Sequence, residues 1–184
     1  MKSHQKTLLF MLSAFLMCGS PRTVLAAAAP PDSAPAATFS EAILGKRFAG
    51  TYLVSRDPTT GPSRVLTIFA DGNLSSMQSI QTRSPVTQDS FTNQHGTWKW
   101  VGTRKLEATV LDFTFDPPTG NFVGTGIAVY RLTFAKDFES LSGEVEGKIF
   151  AAGVDPLDPG NAQPIATFTD RFEARRVHAG DANR

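Results

Sequence analysis

From Phe48 onward, apolar residues recur mainly with a period of two, in runs of seven to fourteen residues separated by Gly, Pro, Asp and Asn. That repeat sets alternate side chains on opposite faces, which describes a strand with one buried face and excludes a helix, whose repeat is about 3.6. The runs predict eight strands, near 47–55, 63–70, 73–81, 95–101, 104–115, 121–134, 140–150 and 165–177. Connections at Asp71-Gly72, Gly102-Thr103, Pro117 to Gly120 and Lys136 to Glu139 are short enough to make hairpins of the strands that flank them. A succession of hairpins is an up-and-down meander, and eight strands closed on themselves leave no edge to pair with another chain. The expected fold is an all-β, eight-stranded antiparallel up-and-down barrel, with a β-sandwich as the alternative.

The run 140–150 alternates most cleanly, with Leu141, Gly143, Val145, Gly147 and Ile149 on one face and Ser142, Glu144, Glu146 and Lys148 on the other. The run 121–134 has Phe122, Gly124, Gly126, Ala128, Tyr130, Leu132 and Phe134 on one face and the apolar Val123, Ile127 and Val129 on the other. Its outer face therefore calls for a cover: a loop, the N-terminal segment or a second copy of the chain. Within 104–115 the apolar phase slips from Leu106, Ala108 and Val110 to Leu111, Phe113 and Phe115, which predicts a β-bulge near Val110. The long connections 82–93 and 151–164 are where binding function is expected to reside on such a scaffold.

The segment Phe48-Ala49-Gly50-Thr51-Tyr52 resembles the start of a calycin barrel, the group that includes lipocalins, fatty-acid-binding proteins and avidins. In lipocalins a Gly-x-Trp on the first strand follows a short helical turn, and an arginine near the last strand packs over that ring and closes the barrel base. The resemblance places Gly50 and Tyr52 in those positions, with Tyr for Trp, and Arg175 or Arg176 as the closing arginine. It covers a few residues at each end of the domain. It implies a barrel that holds a small apolar molecule. Barrels of the allene oxide cyclase and dirigent type share the size and imply a small cyclase or isomerase as the enzymatic counterpart.

At the N-terminus, Lys2 and Lys6 precede the apolar run Leu8 to Met17, broken only by Ser13, and Val24-Leu25-Ala26 follows. This is the pattern of a cleavable export signal. Ten helical residues rise about 15 Å against a hydrocarbon core of about 30 Å, so no membrane span is expected to remain. Residues 1–26 are expected to be removed and the protein to act in the periplasm or outside the cell. Cleavage would discard Cys18, the only cysteine, and with it any disulfide or thiolate ligand. It would also take Lys+Arg from 18 to 15 against 17 Asp+Glu, turning a formal charge of +1 into −2. That balance offers no basic footprint for nucleic acid. Residues 27–38 read as an Ala/Pro-rich tether and 39–178 as a single domain, opened by a helical turn over Phe39 to Leu44 capped by Ser40. Residues 179–184 read as a disordered tail.

Beyond the signal only His95 and His178 remain as histidines, and the sequence holds no Gly-x-Ser-x-Gly elbow, phosphate-cradling loop or dinucleotide fingerprint. No cofactor and no metal is expected. Trp98 and Trp100 share a face with Gly96, as core aromatics or as one wall of a ligand cavity. Gly124, Gly126, Gly143 and Gly147 either leave space inside the barrel or mark bends in its sheet. Asp170 falls between Phe168 and Phe172 on an apolar face and needs a partner there, for which Arg176 and Arg131 are the candidates. Asp112 raises the same question. Asp155, Asp158 and Asn161 offer oxygen ligands for calcium, although Pro156, Pro159 and Gly160 favour an ordinary turn-rich loop. Asn73-Leu74-Ser75 is a glycosylation sequon at a hairpin.

Taken together, the expected function is an exported binding protein for a small apolar or amphipathic molecule, with Trp98, Trp100, Tyr130, Asp170 and Phe172 around the ligand and Tyr52 and Arg176 closing the base. The alternatives are a small barrel cyclase or isomerase using Asp170, Tyr130 and Arg131, and a non-catalytic domain that forms a homodimer through the outer face of 121–134.

Overall fold

The computed structural model describes residues 45–183. The export signal, the tether and the Ser40 cap lie outside the described residues. Residues 45–48 form a helical turn closed by the Ala49 N–H donating to the Gly45 carbonyl at 3.0 Å. Nine strands follow: β1 (Gly50–Val54), β2 (Arg64–Ile68), β3 (Asn73–Gln78), β4 (Ser90–Phe91), β5 (Gln94–Gly102), β6 (Lys105–Phe115), β7 (Phe122–Phe134), β8 (Ser140–Ala151) and β9 (Ala166–Arg176). Eight of them, all but β4, pair antiparallel in ring order, and the β1–β9 and β6–β7 pairings close the ring. The two-residue β4 pairs with the end of β6 beyond the point that β5 reaches. The fold is a closed eight-stranded antiparallel barrel with one extra strand.

The period-two pattern becomes the wall of this barrel. Tyr52, Leu66, Ile68, Leu74, Leu106, Ala108, Val110, Leu132, Phe134, Leu141 and Val145 all point inward and form one buried cluster. Burying a large apolar side chain stabilises by about 1.5–3 kcal/mol, which suffices to fix the register, since a slip of one residue would turn the whole set outward. The connections after β2, β5 and β7 lie at one end, the base; those after β1, β3, β6 and β8 lie at the other, the mouth.

Three local expectations are corrected. There is no bulge at Val110: β6 keeps its phase, and Asp112 and Thr114 occupy the inward positions, buried, while Phe113 is exposed. The sequence looked like a phase slip because the inner wall changes from apolar to polar there. The register irregularity lies one turn of the pleat further, between Thr114 and Phe115, where Phe115 pairs with Phe122 and Thr114 with Gly124. The extra residue, Val123, turns Phe122 to the outside, where its ring meets those of Phe113 and Phe115 at 5.9 Å each. The β2–β3 loop has three residues, not two: the Phe69 N–H bonds the Asn73 carbonyl at 3.0 Å and only Gly72 has positive φ, 93°. At the C-terminal end Asp181–Asn183 is a 3-10 turn, and Asp181 accepts from the His178 N–H at 2.9 Å.

Candidate functional site

The base is sealed by aromatic packing. Arg176 pairs with Tyr52 across β9 and β1, and its guanidinium sits 5.5 Å from the Tyr52 ring centre. The same guanidinium donates to the carbonyls of Ala49 and Phe138, and the Tyr52 hydroxyl donates to the carbonyls of Phe138 at 3.3 Å and Phe48 at 3.4 Å. Phe48 fills the opening from the helical turn, with its ring 4.9 Å from Phe134, 5.6 Å from Phe138 and 5.8 Å from Trp98. Trp98 is partly buried there and donates its indole N–H to the Phe69 carbonyl at 2.9 Å, while Trp100 is half exposed at the rim. Burial pushes the Tyr52 hydroxyl above its usual pKa, partly offset by Arg176. Trp98 packs against this plug, and neither tryptophan lines the cavity at the other end of the barrel.

The mouth is built from the polar residues that hold the same inward phase. Arg64 continues the face of Leu66 and Ile68, Gln78 that of Leu74 and Ser76, Gln94 that of Trp98, and Asp112 and Thr114 that of Val110. All of them but Thr114 belong to one chain of hydrogen bonds. Arg56 donates to Asp170 Oδ1 at 2.9 Å and Arg64 to Asp170 Oδ2 at 2.7 Å. Arg64 also donates to Gln78 Oε1 at 3.4 Å, Gln78 to Gln94 Oε1 at 3.1 Å, and Gln94 to Asp112 Oδ2 at 2.8 Å. The Tyr130 hydroxyl lies beneath, bonded to Gln94 and to Ser76. Its burial raises its pKa, with Arg64 opposing. The Arg64 guanidinium stacks 4.7 Å from the Phe172 ring centre.

Above this floor lies a cavity of about 230 Å³, walled by Ile80, Pro85, Val86, Phe91, Ile149 and Phe168 and floored by Arg64, Gln78, Gln94, Asp112, Thr114 and Asp170. The loop between β3 and β4 supplies Ser84 to Thr87 as its lid; the loop 152–165 contributes nothing to it. Two floor atoms stand out. Asp112 is buried and its carboxyl pKa is raised by desolvation, with the Gln94 hydrogen bond opposing. The Thr114 hydroxyl has no hydrogen-bond partner among the described residues.

The inward glycines do not empty the barrel: three of them make room for side chains, and Gly124 stands beside the register irregularity at Val123. Gly143 pairs with Phe172 and Gly147 with Phe168, and a Cβ on either glycine would strike the partner's ring. The two phenylalanines lie flat on β8 because those positions lack side chains. Gly126 likewise makes room for the Asp112 carboxylate.

Of the residues singled out from sequence, Asp170, Phe172 and Tyr130 belong to or directly support the mouth. Trp98, Trp100, Tyr52 and Arg176 belong to the base. The partners of Asp170 are Arg56 and Arg64, not Arg176 or Arg131. Arg131 faces outward in a broad depression of about 820 Å³ on the barrel wall, where it pairs with Glu107 and Glu146. Tyr130, Asp170 and Arg131 are thus on two sides of the sheet and cannot act on one substrate. His95 faces outward and His178 bonds Glu139, far from each other in the fold. Asp155 accepts from the Leu157 N–H at 2.9 Å within its own turn, and no group of three His, Cys, Asp or Glu side chains gathers among the described residues. The outer face of β7 is apolar and half-buried at Val123, Ile127 and Val129.

Arg56, Arg64, Gln78, Gln94 and Thr114 are the site residues that sequence reasoning passes over. Their signal is phase: each of the last four is a polar residue in step with the inward set of its strand.

Fold and site together define a closed β-barrel with one plugged end and one cavity-bearing polar mouth. No protein-family description matches the chain, and neither does any curated protein or any solved structure.

Proposed function

We propose that this protein is an exported carrier or sensor that binds one small amphipathic molecule in the mouth of the barrel. The observation that carries this reading is the cavity of about 230 Å³ with apolar walls on a hydrogen-bonded polar floor. Ligand sites combine a mostly apolar enclosure with a few placed polar groups. The volume falls below the range of roughly 300–1,000 Å³ typical of drug-sized ligands, so the occupant is small. The resemblance of the first strand to calycin barrels points the same way, and the stack of Arg176 on Tyr52 supports it. A cyclase or isomerase role has weaker support, because the three residues it would use do not converge.

The test is thermal unfolding of the purified chain from Ala27 with and without solvent-extracted lipids and small metabolites. A bound compound at 100 times its Kd stabilises by about 2.7 kcal/mol, which raises Tm by several degrees. The gain should vanish in Val86→Trp and Ile149→Phe, which narrow the cavity. No stabilisation by any fraction, or stabilisation unchanged in both variants, would overturn the reading.

A further inference from the structure

Resting on that reading, we propose that the ligand is a primary amine with a short apolar body, held by Asp112 and Thr114. The floor of the cavity decides the head group by what it leaves unpaired. The hydrogen bonds from Arg64 through Gln78 and Gln94 to Asp112 all run in one direction, each amide giving one N–H to the next acceptor. The relay ends on Asp112 Oδ2 and leaves Oδ1 with no hydrogen bond among the described residues. Oδ1 lies over Gly126, whose missing side chain gives it room. Two residues along β6, Thr114 is 2% exposed and its hydroxyl is unpartnered. Both residues line the cavity. Inward neighbours on one strand stand about 6.6 Å apart, so one ammonium between them reaches both acceptors.

The donors nearest Asp112 are engaged, Gln94 on Asp112 itself and the Tyr130 hydroxyl on Gln94 and Ser76. Asp170 occupies Arg56 and one nitrogen of Arg64, while Arg64 Nε and Nη1 are buried without a hydrogen-bond partner in a guanidinium stacked against Phe172 and Tyr130. Beside Asp112 the vacant group is an acceptor, Oδ1, with the Thr114 hydroxyl next to it, and an ammonium brings three donors and the charge that a buried carboxylate lacks. The groups facing Asp112 are Gln94 from β5, Gly126 and Tyr130 from β7, Arg64 from β2 and Asp170 from β9. None of the charged ones bonds it directly.

Hexylamine and hexan-1-ol, compared by calorimetry, separate the head group from the chain. Hexylamine should bind the wild-type protein about ten-fold more tightly or better, the worth of one charge-assisted hydrogen bond. Its affinity should rise with pH as Asp112 ionises and then level off. Asp112→Asn should abolish both the preference and the pH dependence while leaving the circular dichroism spectrum unchanged. Thr114→Val, nearly isosteric, should weaken hexylamine alone by several-fold. Equal affinity for amine and alcohol, or amine preference surviving in Asp112→Asn, would overturn the assignment. If hexylamine fails but other compounds stabilise the protein and lose their effect in Val86→Trp, the amine proposal falls and the binding reading stands; if nothing binds, both fall.

Discussion

The two ends of this barrel are made from the same strands and the same inward phase, yet they differ in every physical respect. At the base, Phe48, Tyr52, Phe134, Phe138 and Trp98 interlock, and Arg176 spends its charge on carbonyls and an aromatic face. At the mouth, six inward positions carry polar or charged side chains, and they enclose a space instead of filling it. On the proposed function, the contrast separates stability from recognition along the barrel axis. The base holds the cylinder closed, so the mouth can carry a buried carboxylate and an unpartnered hydroxyl, each of which costs stability.

This division predicts the size and kind of effect at each end. The largest belongs to the base: Phe134→Ala should cost about 3–5 kcal/mol, because the ring is buried against Phe48, Tyr52 and Phe138. Thermal unfolding followed by circular dichroism measures it, and a loss below about 1 kcal/mol would break the claim that the base holds the barrel. Next comes Asp170→Ala, which leaves the Arg64 guanidinium buried without its carboxylate. About 2–3 kcal/mol is expected, below the full cost of orphaning a buried charge because Asp170 is one-fifth exposed. Adding Arg64→Met should recover much of the loss, which a purely local packing defect would not allow. Gly143→Ala is smaller, about 1–3 kcal/mol, since its methyl group would displace the Phe172 ring.

The smallest effect has the opposite sign. Burial raises the Asp112 pKa in the folded protein above that of the unfolded chain. The site's contribution to stability is therefore complete at pH values below the unfolded carboxylate's range, near 4, and is lost as pH rises through the folded value. Asp112→Asn removes that loss, so it should raise Tm at pH 7 and change it little at pH 3. A lower Tm at pH 7 would show that Asp112 is paired more strongly than Gln94 alone accounts for.

Much of the barrel was legible because alternation reports burial directly: every long strand lies where the runs of alternating residues fall. The site was only half legible. Asp170 and Tyr130 were visible as polar residues within apolar runs, and Asp112 raised the same question, but the bulge expected near Val110 hid Thr114 from the inward set. A polar residue facing a polar cavity and an apolar residue facing solvent reverse the pattern together, and Phe113 at 53% exposure completed the illusion. Trp98 and Trp100 were read as core aromatics or as a ligand wall, and the choice stayed open because sequence gives the face of a strand but not the height along the barrel. The partners of Asp170 could not be read at all, since Arg56 and Arg64 lie more than 100 residues away in the chain.

The separation of the two ends is tested most directly by titrating the isotope-labelled chain from Ala27 with the compound that most raises its Tm and recording backbone amide shifts. Binding at the mouth predicts changes centred on Val86, Gln94, Asp112, Thr114 and Ile149, with Gly50, Trp98 and Phe138 undisturbed. Changes centred on Trp98, Trp100 and Phe138 instead would place the ligand at the base and contradict it.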